Sequence, residues 1–180
     1  MMTSEPITSP SSTVDSAQNV LLIVDAESLL AHYPTASQDP ANPTDIADGF
    51  IFFATGNNSK KIVTNDSTTK VLVVMDRDVH FRVRSVSLIA EHSVVACRMT
   101  VDDSSVLTVP KLEIHTGLTV PAPNPESPAV PGSRKADDHF WAYTPKTPGT
   151  AQCGLTFMLV NQQCEVAGYF QWQVRVELTS

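Results

Sequence analysis

The stretch Gly168 to Leu178, GYFQWQVRVEL, decides the fold. From Phe170 onward, Phe170, Trp172, Val174, Val176 and Leu178 alternate with Gln171, Gln173, Arg175 and Glu177. A strand turns successive side chains to opposite faces, so this spacing puts five apolar groups on one side and four polar ones on the other. A helix would scatter both sets around its circumference. The stretch therefore reads as a strand with one buried and one wet face, as antiparallel sheets commonly have. Just upstream, Leu155 to Val160 (LTFMLV) is an unbroken apolar run that suits a more central strand. Residues Asn161 to Gly168 can turn the chain between the two. This hairpin is the expected centre of the fold.

Outward from it, the chain reads mostly as strands. Val20 to Val24 suits a strand buried on both faces. Asp25 follows as the cap of a short helix ended by Pro34, with Glu27 in its first turn and Leu29, Leu30 and Tyr33 on its inner side. Pro34 to Thr44 is a loop fixed by three prolines. Phe50 to Thr55 is an apolar run that stops at the turn signal Gly56-Asn57-Asn58. Lys61 to Thr64 and Val71 to Met75 read as further strands. Between His80 and Leu88 the apolar parity changes, from Phe81 and Val83 to Val86 and Leu88, which predicts a β-bulge near Arg84–Ser85. Val95, Cys97, Met99 and Val101 alternate with polar or small residues, so Cys97 reads as a small buried hydrophobe. Lys111 to Val120 is another strand. Pro121 to Pro131 carries five prolines and is expected to be an extended surface loop covering a sheet edge. Phe140 to Tyr143 is one more strand. Eight to ten strands and one short helix after the first of them predict an all-β fold, an antiparallel two-sheet β-sandwich. Residues 1–18, rich in Ser, Thr and Pro, read as a flexible N-terminal tail, and residues 19–180 as a single domain.

The bulk composition excludes several functions. With 180 residues and a net charge of −7, the surface is acidic, which disfavours nucleic acid and anionic lipid as partners. The longest aliphatic runs, Val20 to Val24 and Val71 to Met75, are too short to span a bilayer. The first fifteen residues lack the basic start and apolar segment of a secretory signal, so a cytoplasmic protein is expected. Three cysteines without a CxxC make neither a disulfide framework nor a structural zinc site. No GxSxG, HExxH or glycine-rich phosphate loop is present. A strand, a terminal Asp25 and a helix also open metal-dependent hydrolase folds, but those need a parallel sheet of repeated strand–helix units, which the remaining chain does not supply. No enzyme, catalytic residue, metal or cofactor is therefore expected. The five histidines are far apart in sequence and read as surface or strand-edge residues.

The candidate ligand-binding residues are acidic. Asp76 and Asp78 follow one strand, Asp102 and Asp103 follow another, and Asp137 and Asp138 precede a third. Carboxylates gathered on loops at one end of a sandwich can bind Ca²⁺ or accept the hydroxyls of a glycan. The competing explanation is that aspartate caps turns and bonds the local backbone. Trp172 falls on the apolar parity of its strand and belongs in the core. Trp141, beside the proline-rich segment, is the better choice for an exposed, sugar-stacking ring.

Four stretches together resemble the AidA/PixA family of bacterial inclusion-body proteins. They are VLLIVDAESLLAHYP, the loop SQDPANPT, HFRVRSVSL, and GYFQWQVRVEL after LTFMLV, in that order between Asn19 and Leu178. The resemblance implies a cytoplasmic, β-rich single domain, in several members abundant, regulated by cell density and tied to host interaction. It brings no agreed biochemical activity and no catalytic residues. Some members are methionine-rich and form crystalline inclusions; this chain has five methionines, two of them at its start. The expected function is that of a non-enzymatic, self-associating protein, a homodimer or higher homo-oligomer. The alternative is a lectin-like module using the acidic loops.

Overall fold

The structure, a computed structural model, describes residues 17–56, 60–63, 69–86 and 91–179. In chain order the elements are β1 (Gln18–Val24), α1 (Ala26–His32), β2 (Thr44–Asp45), a 3-10 turn (Asp48–Phe50), β3 (Ile51–Thr55), β4 (Lys60–Val63), β5 (Thr69–Val74), β6 (Val79–Ser85), β7 (His92–Val101), β8 (Lys111–Pro123), β9 (Pro131–Tyr143), β10 (Gly149–Asn161) and β11 (Val166–Thr179). They build a two-sheet sandwich. One sheet runs β3-β1-β6-β9-β8; the other runs β4-β5-β11-β10-β7, with β2 added against β11. Most neighbours are antiparallel. The pairs β1–β6, β11–β5 and β11–β2 are parallel, so both sheets are mixed.

The hairpin read from the sequence is β10–β11, and it holds the middle of the second sheet. Leu155 lies opposite Trp172 and Phe157 opposite Phe170. Phe170, Trp172, Val174, Val176 and Leu178 are all at most 3% exposed. The Trp172 indole N–H is not orphaned by this burial, because it donates to Asp48 Oδ1 at 2.8 Å. The other sheet contributes Val20, Leu22, Val24, Phe81, Val83 and Tyr143 to the same core. Tyr143 meets Phe81 edge-on at 5.6 Å, and its hydroxyl donates across the sandwich to the Thr100 carbonyl at 3.2 Å. After β1, Asp25 Oδ1 accepts from the Ser28 amide at 3.2 Å, which caps α1 as expected and sets Leu29 into the core.

Several expectations are corrected. β1 is buried on one face only: Val20, Leu22 and Val24 are buried, while Leu21 and Ile23 are partly exposed. Its first residue is Gln18, placed by the sequence reading at the end of the tail, and this residue is 2% exposed. Its side chain donates to the Val74 and Arg77 carbonyls and accepts from the Val74 amide, so a buried carboxamide closes the β5–β6 turn. No bulge is present at Arg84–Ser85, where β6 pairs with β1 without interruption up to Ser85 and Val86 turns out to solvent. The bulge is in β7 instead. Thr156 pairs with Arg98 and Phe157 with Ala96, which leaves Cys97 as the extra residue. Val94 and Ala96 therefore face the core before Cys97 and Met99 faces it after, and Cys97 itself is exposed. Pro121 to Pro131 is not an extended loop over an edge: Pro121 to Pro123 ends β8 and Pro131 starts β9. Proline is tolerated there because β8 is an edge strand, whose outward amides have no partner to lose. The tail through residue 16, the turn residues Asn57 and Asn58, Thr64 and Leu88 lie outside the described residues.

Candidate functional site

The densest polar constellation lies on the outer face of the five-stranded sheet. Backbone pairing between β6 and β9 is confined to Val79–Tyr143, His80–Ala142 and Phe81–Trp141. Beyond that point side chains take over. Alternation along β6 buries Val79, Phe81 and Val83 and so aims His80, Arg82 and Arg84 outward. Arg82 grips Asp138 of β9 with Nε at 3.1 Å from both carboxylate oxygens and Nη2 at 2.7 Å from Oδ2. Arg84 adds Nη2 at 3.2 Å, and Arg82 Nη1 reaches back to Asn19 Oδ1 of β1 at 2.6 Å. One guanidinium, that of Arg82 on β6, thus ties β9 and β1 to its own strand. Phe140 is on the same outer face yet only 7% exposed. It is covered by His80 stacked at 4.1 Å, by His115 of β8 at 5.5 Å and by the Arg82 guanidinium at 4.5 Å from the ring centroid.

Electrostatics follow from this packing. Burial by itself raises the Asp138 pKa, but the Arg82 hydrogen bonds and charge, with Arg84, outweigh it and hold the carboxyl below its ordinary value. Burial, then the Arg82 charge, lowers His80; burial, then Arg84, lowers His139. The arrangement clamps β9 to β6 and presents guanidinium and imidazole edges to solvent.

Among the described residues no three of the candidate aspartates come within metal-ligating distance of one another, although Asp76 and Asp78 share one depression. Asp137 and Asp138 are inside β9 and not in a loop before it. Asp137 Oδ1 accepts from the Gly117 amide, which fixes a bulge of β8 where Gly117 has φ 65°, the left-handed backbone that glycine takes without strain. Asp102 Oδ1 accepts from the Gln152 amide, and Asp103 Oδ1 from the Ser105 amide and hydroxyl. The Asp103 contacts are the local turn chemistry that competes with a ligand site, whereas Asp102 bonds across to the neighbouring strand β10. Asp76 and Asp78 line a depression of about 210 Å³ at the β5–β6 turn, shared with Met75, Arg77, Thr144 and Pro145. Trp141 is not an exposed platform. It packs against the core, and its indole N–H donates to the Ala96 carbonyl of the opposite sheet at 3.3 Å.

Among the described residues, one set of three metal-ligating side chains does come together, and none of the six aspartates belongs to it. It comprises Glu27 of α1, Glu91 and His92. Glu27 and His92 are 65 positions apart in sequence, so no spacing announces the set.

Comparison with known proteins places the chain. The sequence profile of the PixA inclusion body protein family matches residues 16–178. The chain belongs to that family. The similarity extends to an experimental structure, the crystal structure of the PixA inclusion body protein from Burkholderia cenocepacia J2315. At 15% identity that structure superposes with a TM-score of 0.75 over 91% of this chain and 96% of the other. A search of curated proteins found no match. The PixA match covers every strand of the sandwich, including both halves of the Arg82–Asp138 clamp. No described helix of this PixA-family chain is long and apolar enough to cross a membrane.

Proposed function

We propose that this PixA-family protein works by accumulation and self-association in the cytoplasm, without catalysis, under cell-density control and in the service of host interaction. The observation that carries self-association is the outer edge of the five-stranded sheet. β8 ends the strand order, and its Leu112, Ile114 and Leu118 are 40%, 63% and 40% exposed. An open edge with apolar side chains invites pairing with another strand. The aromatic segment Phe140 to Tyr143 is occupied in the sheet interior between β6 and β8. β8 is thus the better contact, and two-fold pairing into a homodimer is the simplest closure. Mutual repulsion of net charge −7 opposes further packing at neutral pH and fades toward the isoelectric point near 5.0.

Light scattering from pH 8 to 5 tests the reading. Dimers at pH 8 and growing particles near pH 5 are expected, with Ile114→Lys shifting the pH 8 species to monomer. A monomer at every concentration and pH would leave the second reading, a glycan-binding module. That reading is favoured by the depression that Asp76, Asp78 and Thr144 share, and glycan-array binding lost in Asp76→Asn would support it.

A further inference from the structure

A second, separate site is formed where α1 meets the start of β7. Glu27 lies in the first turn of α1, a helix capped by Asp25 and anchored by Leu29. His92 opens β7 and is held by the ladder opposite Asn161. Glu91 directly precedes it. His92 Nδ1 is 3.2 and 3.3 Å from the two Glu27 carboxylate oxygens, and ligand atoms of all three residues fall within 4.8 Å of one another. Two carboxylates are thereby brought together, and no lysine or arginine among the described residues is within ion-pair distance of either. That leaves a local excess of negative charge with one imidazole to balance it.

We propose that Glu27, Glu91 and His92 bind a first-row divalent transition cation, with zinc as the reference ion, and leave one coordination position open. The donor set decides the class of ion. Calcium and magnesium take oxygen ligands, six or more of them, whereas one imidazole and two carboxylates suit zinc and its neighbours. Geometry agrees. With zinc–nitrogen and zinc–oxygen bonds of about 2.0–2.1 Å, two ligands of a tetrahedron stand about 3.3 Å apart, which is the spacing His92 already keeps from Glu27. Glu91, exposed and unconfined by a strand, has only to rotate its side chain inward to complete three ligands. Secondary structure fixes the other two, so little order is lost on binding. The cation occupies the gap across which His92 Nδ1 and the Glu27 carboxylate now face each other.

The experiment is zinc titration by calorimetry on the chelator-stripped full chain at pH 7.5, followed by cobalt absorption spectra. Saturable uptake of one equivalent is expected, with a raised melting temperature and the visible band of low-symmetry four-coordinate cobalt. Glu27→Gln, Glu91→Gln and His92→Gln should each weaken binding at least tenfold. Glu27 and Glu91 are exposed and His92 is half-buried at the start of its strand, so the far-UV circular dichroism is expected to stay unchanged, which separates lost ligands from lost fold. Absence of saturable uptake overturns the proposal. So does uptake abolished by His32→Gln or His115→Gln in place of His92→Gln, or a loss confined to fewer than all three ligand variants. None of these outcomes decides the self-association reading, which rests on Leu112, Ile114 and Leu118.

Discussion

At the scale of single residues, burial alone does not separate side chains that carry stability from those that fill space. Trp172 does both. It fills the interface between the sheets beside Phe53 at 5.4 Å, and its N–H ties the 3-10 turn through Asp48. Trp172→Ala is expected to cost about 3–5 kcal/mol in urea unfolding, the range for truncating a buried aromatic. A loss below about 1 kcal/mol, typical of surface positions, would place the ring on the wrong face. Gln18 carries a different lesson. Nothing in its neighbourhood of Ala17 and Asn19 marks it as a core residue, because what it satisfies are the backbone groups of Val74 and Arg77, more than fifty positions away. Long-range polar satisfaction leaves no periodic trace. Cys153, just outside the apolar run Leu155 to Val160, is sealed so well in the core that burial pushes its thiol up to about 12.

At the scale of elements, the outer half of the β8–β9 hairpin depends on side chains, since β9 leaves the β6 ladder after Trp141. Asp138→Asn keeps the shape and removes the charge facing Arg82 and Arg84. A loss of about 1.5–3 kcal/mol is expected, as for hydrogen bonds to charged groups, with faster amide exchange in β8 and the distal part of β9. Unfolding within about 0.5 kcal/mol of the parent, with unchanged exchange, would show the clamp to be ornamental. Strand identity was legible wherever one face is dry: β11, β10 and the cap of α1 follow from alternation, apolar run and Asp25. Register was not. The parity change of His80 to Leu88 looks like a bulge but is a strand ending at Ser85, whereas the smooth alternation around Cys97 conceals a real one. Alternation records which residues are apolar, and a bulge is decided by the partner strand. Pro121 and Pro123 misled for a related reason, since an edge strand accepts them as readily as a loop does, and Pro131 because the first position of a strand accepts proline too. The acidic candidates were legible as turn and strand partners only after the donors Gly117, Gln152 and Ser105 were in place.

At the scale of the whole molecule, pH acts on stability through two histidines. His80 and His139 have pKa values lowered by burial and neighbouring arginines. Below about pH 6.5 the unfolded chain binds protons at these sites more readily than the native state does, so stability present at neutral pH drains away as pH falls through the lowered folded values. Asp138 is depressed from a lower starting point and gives up its contribution only in more acid solution. The melting temperature is therefore expected to decline from pH 7 to 5, and the double substitution His80→Gln with His139→Gln to flatten that decline. An equally steep profile in the double variant would assign the effect to other groups. Growth of assemblies near pH 5 would then coincide with loosening of the outer sheet face.

The position of β11 has a further consequence for how the molecule is made. β11, the last of the described strands in chain order, is flanked by β5 on one side and β10 on the other, with β2 also leaning on it. A nascent chain that stops short of Gly168 has β5 and β10 as two open edges and a groove where Phe170, Trp172, Val174 and Val176 belong. The second sheet consequently closes only after residue 179 has left the ribosome, late and through contacts distant in sequence, the slow kind of β-sheet assembly. In a cell that makes many copies at once, neighbouring unfinished chains present the same vacancy to one another. Synthesis rate, as much as the finished surface, then sets the balance between orderly monomers and entangled ones.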